Sequence, residues 1–248
     1  MTVSCILPAW NEAPRIGAVL EVVTAHPLID EVIVVDDASE DDTVAQVLRF
    51  AGLRLIRQPC NRGKSAAVAA GLRAMRGDIV VFLDSDLIGL DASALRALIL
   101  PVITGQADAT ISLRGNTPLP WRWLGLDYLS GERAMRKTIA PPADRLDALP
   151  RFGMEVMMND IWLRDAARLH VVAWPKVASP GKSRKLGKLR GLIADAAMIG
   201  DILATIGLPH ALRQIGGLRR LRLTAPFPGS QRLPFQQTRS KDSTCQHD

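Results

Sequence analysis

Two carboxylates one residue apart close an apolar run: Ile79-Val80-Val81-Phe82-Leu83 leads directly into Asp84-Ser85-Asp86. The apolar part has the continuous hydrophobicity of a strand buried on both faces, as in the middle of a parallel sheet. Ligands of open α/β sheets bind outside the carboxyl ends of the strands, so acids at this position stand where chemistry is expected. Paired hard oxygens suit Mg2+ or Mn2+, and such ions serve to hold phosphate oxygens. Helix capping is the simpler role for these acids, but Asp91 before the next helical pattern fills it equally well.

Three further segments bring polar groups to strand or helix ends. Glu31-Val32-Ile33-Val34-Val35 runs into Asp36-Asp37, candidates for a ribose hydroxyl or a base edge. The following Ser39 and Asp42 have the spacing of a capping box, with acids in the first helical turn. Leu7-Pro8-Ala9-Trp10-Asn11-Glu12 ends the first strand with an amide and an acid that could read a nucleoside, Asn11 also being suited to cap a helix. Asn61-Arg62-Gly63-Lys64-Ser65 places a glycine and a lysine at a helix start, where free N–H groups and a point charge attract anions. The glycine spacing of a Walker loop is absent, and no Gly-x-Gly-x-x-Gly follows the first strand, which counts against a dinucleotide dehydrogenase.

The elements that must position these groups alternate. Strands are expected at Val3-Leu7, Val32-Val35, Leu53-Ile56, Ile79-Leu83 and Ala107-Leu113, with helices at Ala13-Thr24, Asp42-Ala51, Ser65-Met75 and Ala92-Val102. This repeat predicts an α/β protein with a mostly parallel sheet and right-handed crossovers. From Gly115 the texture changes: Pro118, Pro120, Trp121 and Trp123 predict an irregular segment, and Pro141-Pro142 another. A helix is expected to start near Leu129, others at Met154-Ala167, Leu186-Ile206 and Leu208-Gly217, and a strand at His170-Trp174. After Ala225 the chain is rich in Pro, Gln, Arg and Ser and is expected to be disordered. The resulting division is 1–175 for the sheet domain, 176–224 for a basic loop and C-terminal helices, and 225–248 for the tail.

Composition narrows the partners. The 248 residues suffice for a sizeable core. Aromatics make up only 4 %, which argues against stacking platforms for single-stranded nucleic acid, and no nucleic-acid motif accompanies the net charge of +6. Cys5, Cys60 and Cys245 have neither metal-ligand spacing nor a disulfide framework. The chain enters a strand without a leader, and a cytoplasmic protein is expected. No run reaches the roughly 18–20 apolar residues of a membrane span. Residues 191–207 come nearest but contain Asp195 and Asp201; flanked by basic residues, they read as a packed helix or a segment lying on a membrane surface. The basic run from Lys176 to Arg190 would attract a diphosphate or an anionic lipid surface. Peripheral membrane contact and a homodimer are both left open.

In order along the chain, LPAWNEAPRIG, VVDDASEDDT, NRGKSAAVAAGL and GDIVVFLDSD closely resemble the nucleotide-sugar half of family-2-type glycosyltransferases. The resemblance covers the first hundred residues and implies a glycosyltransferase-A fold: a single mostly parallel, Rossmann-like sheet flanked by helices, with a C-terminal helical extension. By resemblance, Pro8, Ala9, Glu12, Asp36 and Asp37 would contact the nucleoside and Lys64 the donor. Asp84-Ser85-Asp86 matches the family's Asp-x-Asp motif, with Asp84 and Ser85 at the donor and Asp84 and Asp86 as metal ligands, Asp86 the direct one. Further on, LSGERA (129–134) and RFGMEV (151–156) resemble the acceptor side of glucosyl-3-phosphoglycerate synthase-like bacterial enzymes. That similarity makes Gly131 and Arg133 acceptor candidates and Glu155 a base or donor-hydroxyl ligand, with Glu132 its rival. The related enzymes supply a histidine as a further metal ligand where this chain has Ser179.

The expected activity is transfer of a sugar from a nucleoside-diphosphate donor (UDP- or GDP-sugar), with Mg2+ or Mn2+, to a small phosphorylated, hydroxylated or lipid-linked acceptor. The first-half motifs imply inversion and the second-half resemblance retention of configuration. The alternatives are a nucleotide-sugar-binding or membrane-surface protein without catalysis, and a nucleotidyltransferase. The latter should carry a Gly-rich basic loop directly after the first strand, which LPAWNE does not provide.

Overall fold

Strands β1 (Val3–Ala9), β2 (Glu31–Asp36), β3 (Arg54–Arg57), β4 (Ile79–Phe82), β5 (Ala109–Arg114), β6 (Arg133–Arg136) and β7 (Leu169–Trp174) form one sheet. Their order is β3-β2-β1-β4-β6-β5-β7. All neighbours pair in parallel except β6, which lies antiparallel between β4 and β5. This computed structural model describes residues 1–147, 149, 153–180 and 207–223. The helix expected at 186–206, the basic loop 182–188, most of the 176–224 unit, Arg151-Phe152 and the 225–248 tail lie outside the described residues.

Both faces of the sheet are covered, as the unbroken hydrophobicity of its central strands requires. In β4, Val80 and Phe82 join the core beneath α3 (Lys64–Ala74) and α7 (Gly153–Arg164), while Ile79 and Val81 join the core on the opposite face. That second face packs α1 (Ile16–Thr24), α2 (Thr43–Val47) and α4 (Ala92–Ile103). Short helices α5 (Leu119–Leu124) and α6 (Ala143–Leu146) and the last described helix, α8 (Leu208–Leu221), lie on the α3–α7 side. No described helix is long and apolar enough to cross a membrane.

Several local expectations are corrected. Leu129 starts no helix: Asp127 to Ser130 form a turn, and the chain enters β6 at Arg133. A four-residue strand is too short for its alternation to register in sequence. The segment expected to be irregular contains α5. Ser39 does not cap α2; its hydroxyl accepts the Asn11 N–H, and Asp41 instead accepts from both the backbone and the hydroxyl of Thr43. Asn11 is no N-cap either, since it adopts φ 55° and its side-chain oxygen accepts the Glu40 N–H. Asp91 does cap α4, accepting the Ala94 N–H at 2.8 Å.

Candidate active site

The carboxyl ends of β1, β2 and β4 surround a cleft of about 1020 Å3. Pro8, Ala9, Glu12, Asp37, Lys64, Asp84, Ser85 and Asp86 all line it. Asp36 does not: it is buried, and its Oδ1 accepts the Ser39 N–H, so it shapes the loop after β2. Asp37 holds the opposite wall, its two oxygens accepting the N–H groups of Arg62 (2.9 Å) and Gly63 (2.7 Å). Those bonds set the start of α3 and hence Lys64. Ser85 donates its hydroxyl to the Pro8 carbonyl at 2.9 Å and ties the acidic loop to β1.

Lys64 Nζ reaches Asp84 Oδ1 at 2.6 Å and Glu155 Oε1, in the first turn of α7, at 3.6 Å. Burial disfavours the ammonium, but the two carboxylates outweigh it and raise its pKa. Asp84 is likewise held below the ordinary carboxylate range: burial opposes, and Lys64 prevails. Asp86 is different. Burial, then the charges of Asp84 and Glu12, push its carboxyl up to about 6, and it accepts no hydrogen bond among the described residues. A carboxylate crowded by acids and open to a cleft fits a divalent cation. No group of three or more His, Cys, Asp or Glu suitable for a metal exists among the described residues. Among the described residues the candidate donor set is one or two carboxylates, the kind that Mg2+ takes up together with water and phosphate oxygens.

The acceptor-side candidates are placed differently. Gly131 abuts the ion pair: a Cβ there would lie 2.5 Å from Lys64 Nζ and 2.8 Å from Asp84 Oδ1. Arg133 is a correction. Its side chain is fully buried, stacks on Trp162 and donates to the Ser130 and Tyr128 carbonyls and to Asn159, so it has no face for an acceptor. Burial pulls its guanidinium down to about 10. Glu132 is also fully buried, accepting from Ser112, Ser130 and Arg114, and burial with the nearby Asp84 charge pushes its pKa up. Ser179 meets the Arg114 guanidinium, which also binds Glu132 (3.1 Å) and Asp127 (3.5 Å).

Sequence reading missed two residues. Trp10, 52 % exposed, lines the cleft between Ala9 and Asn11, and a solvent-facing indole in a chain so poor in aromatics was the available signal. Arg114 carries no such signal, because nothing local ties the end of β5 to Glu132 and Ser179.

A mostly parallel sheet with one antiparallel strand and acids at the central carboxyl ends is the glycosyltransferase-A arrangement. The family model for glycosyl transferase family 2 matches residues 4–152, and the chain belongs to that family. Glucosyl-3-phosphoglycerate synthase of Mycolicibacterium paratuberculosis is 39 % identical over 114 residues, 42 % of this chain and 34 % of that protein. The Mycolicibacterium smegmatis enzyme of the same name is 32 % identical over 152 residues, 57 % of this chain and 48 % of that protein. The chain thus matches about a third to a half of the length of these curated relatives. The crystal structure of glucosyl-3-phosphoglycerate synthase from Mycobacterium tuberculosis with Mn2+, UDP and glucosyl-3-phosphoglycerate superposes with a TM-score of 0.61 at 27 % identity, covering 87 % of this chain and 80 % of that one.

Proposed function

We propose that the protein transfers a sugar from a nucleoside-diphosphate-sugar, UDP-glucose foremost, to a small phosphorylated acceptor in the cytoplasm, with Mn2+ or Mg2+. The observation that carries this reading is the meeting of Asp84, Asp86 and Lys64 at the mouth of one cleft, with Glu155 behind Lys64. The solved relative, crystallised with Mn2+, UDP and a phosphorylated glucoside, supports the donor and acceptor classes.

Pro8, Ala9, Glu12 and Asp37 would bound the nucleoside pocket, with Trp10 supplying an apolar face for the base. Asp86, with Asp84 beside it, would hold the cation, which supplies Lewis-acid stabilisation of the leaving diphosphate. Lys64 adds a fixed positive charge, and Asp84 and Glu155 keep it charged and aimed. Glu155 is the carboxylate offered to a sugar or acceptor hydroxyl; Glu132, with its oxygens engaged by Ser112, Ser130 and Arg114, is the weaker choice. Gly131, lacking a side chain, lets the Lys64–Asp84 pair lie directly against the chain on the side proposed for the acceptor.

Thermal shift with UDP- and GDP-sugars, each with Mn2+, Mg2+ or chelator, tests the reading. Saturation at about a hundred times Kd adds roughly 2.7 kcal/mol of stability. A metal-dependent shift is expected with UDP-glucose, and its loss in Asp86→Ala. Folded protein that responds to no donor would overturn the proposal.

A further inference from the structure

On the far side of α7 from Lys64 lies a second large cavity, about 1030 Å3, between α7 and α8. Its floor is apolar (Val156, Ile161, Leu163), whereas Arg145, Arg213 and Arg220 stand around it, together with Arg164, which is paired with Asp165. Among the described residues the one acid lining it is Asp160, which is bonded to His210 at 3.1 Å. Helix α8 buries Ala211, Gln214 and Leu218 against the domain and turns Leu208, Leu212, Arg213, Arg219 and Arg220 outward. Leu208 and Leu212 are more than half exposed. Next to the end of α8, tied to it by the Arg222 bond to the Gly125 carbonyl, α5 presents Trp123, the most exposed large apolar side chain among the described residues, at 83 %.

Exposed leucines, an exposed tryptophan and a basic rim around an apolar floor form a coherent surface. We infer that the α5–α8 face docks on an anionic membrane surface, with Leu208, Leu212 and Trp123 entering the headgroup region and the arginines meeting lipid phosphates. Amphipathic helices with basic flanks bind in this way, and tryptophan favours the interface. The charge pattern disfavours a second copy. A two-fold contact between copies sets the same net-basic patch against itself. The inference does not depend on glycosyl transfer: donor binding in the cleft can be intact while vesicle binding fails.

Co-sedimentation of the full chain with vesicles of phosphatidylcholine, with and without one-third phosphatidylglycerol, tests it, alongside Arg213→Glu/Arg220→Glu and Leu212→Asp/Trp123→Ser double variants. All four positions are exposed, and far-UV dichroism with donor-induced thermal shift verifies folding. Binding is expected only with the anionic vesicles, weakening as salt rises, and reduced about tenfold or more in the charge-reversed variant. The apolar variant should bind several-fold more weakly than wild type. Absence of binding to anionic vesicles overturns the inference, as does equal binding by either variant or by neutral vesicles. Light scattering that shows a dimer dissociated by the charge reversal, without vesicle binding, assigns the face to a second copy instead.

Discussion

At the ends of β1, β2 and β4 polar side chains face a cleft, and one of them, Asp86, has no hydrogen-bond partner among the described residues. Between β5, β6 and α7 the charges are turned on one another: Arg133 on Asn159 and two carbonyls, Glu132 on two serines and Arg114, Arg114 on Asp127 and Ser179. The two regions adjoin at the Lys64–Asp84 pair, against which Gly131 packs. A buried charge whose bonds are all internal builds a wall. A charge left beside like charges, open to a cleft, waits for a ligand. That distinction separates residues of the same chemical type a few positions apart, and it yields measurable differences.

The largest effect is expected from Arg133→Leu. Removing the guanidinium leaves the Asn159 side-chain oxygen and the Ser130 carbonyl without their donor in a fully buried site, and the Tyr128 carbonyl with only the long bond from the Asn159 amide. A loss of about 3–5 kcal/mol in urea unfolding is expected. Wild-type stability together with weakened acceptor binding would return Arg133 to the acceptor site and erase the contrast between the regions.

Asp86→Asn should do the reverse, costing turnover and not stability. Loss of the cation's electrostatic help is worth several kcal/mol, so a fall of about a hundredfold or more in kcat/KM is expected. The urea midpoint should stay the same or rise. Turnover that survives at wild-type level would remove Asp86 from the reaction.

These two residues also measure how far the sequence could be read. The cleft edge was legible because its signals are local: an apolar run, then acids, as at Val81-Phe82-Leu83-Asp84, repeated at three strand ends. The parallel part of the sheet followed from the same alternation. The wall between β5, β6 and α7 was not legible, because its bonds join residues far apart, such as Arg133 with Asn159 and Tyr128 with Gln214. In a sequence, Arg133 looks like any polar residue after a glycine; only the packing of Trp162 and α7 over it makes it a structural cation. Likewise β6, four residues long and antiparallel, exists because β4 and β5 each offer it an edge, which no local pattern records.

Gly131→Ala probes the seam between the regions. Its new methyl would displace Lys64 Nζ and the Asp84 carboxylate, both ends of side chains able to move toward the cleft. Stability should change little, while donor affinity falls about tenfold, close to 1.4 kcal/mol. Isothermal titration with UDP-glucose and Mn2+ reads the change, and unaltered affinity would mean that the ion pair's position is immaterial to the donor.

The finest test lies in the pH dependence of stability with chelator present. Asp86 titrates near 6 in the fold and near 3.8 as an ordinary carboxyl. Between those values the native state keeps a proton that the unfolded chain has released, so stability from this group falls as pH rises from about 4 to about 6 and stays lower above. Partial exposure tempers the effect to about 1 kcal/mol. Asp84 is shifted in the opposite direction by Lys64 and contributes stability as pH rises, which masks the trend in the wild type alone. The difference between wild type and Asp86→Asn isolates it: the wild type should lose ground to the variant between pH 4 and 6, and adding Mn2+ should cancel the loss by neutralising the carboxylate. Parallel urea-midpoint profiles for the two proteins would show that Asp86 carries no excess charge to relieve, and that the donor edge is as self-satisfied as the wall beside it.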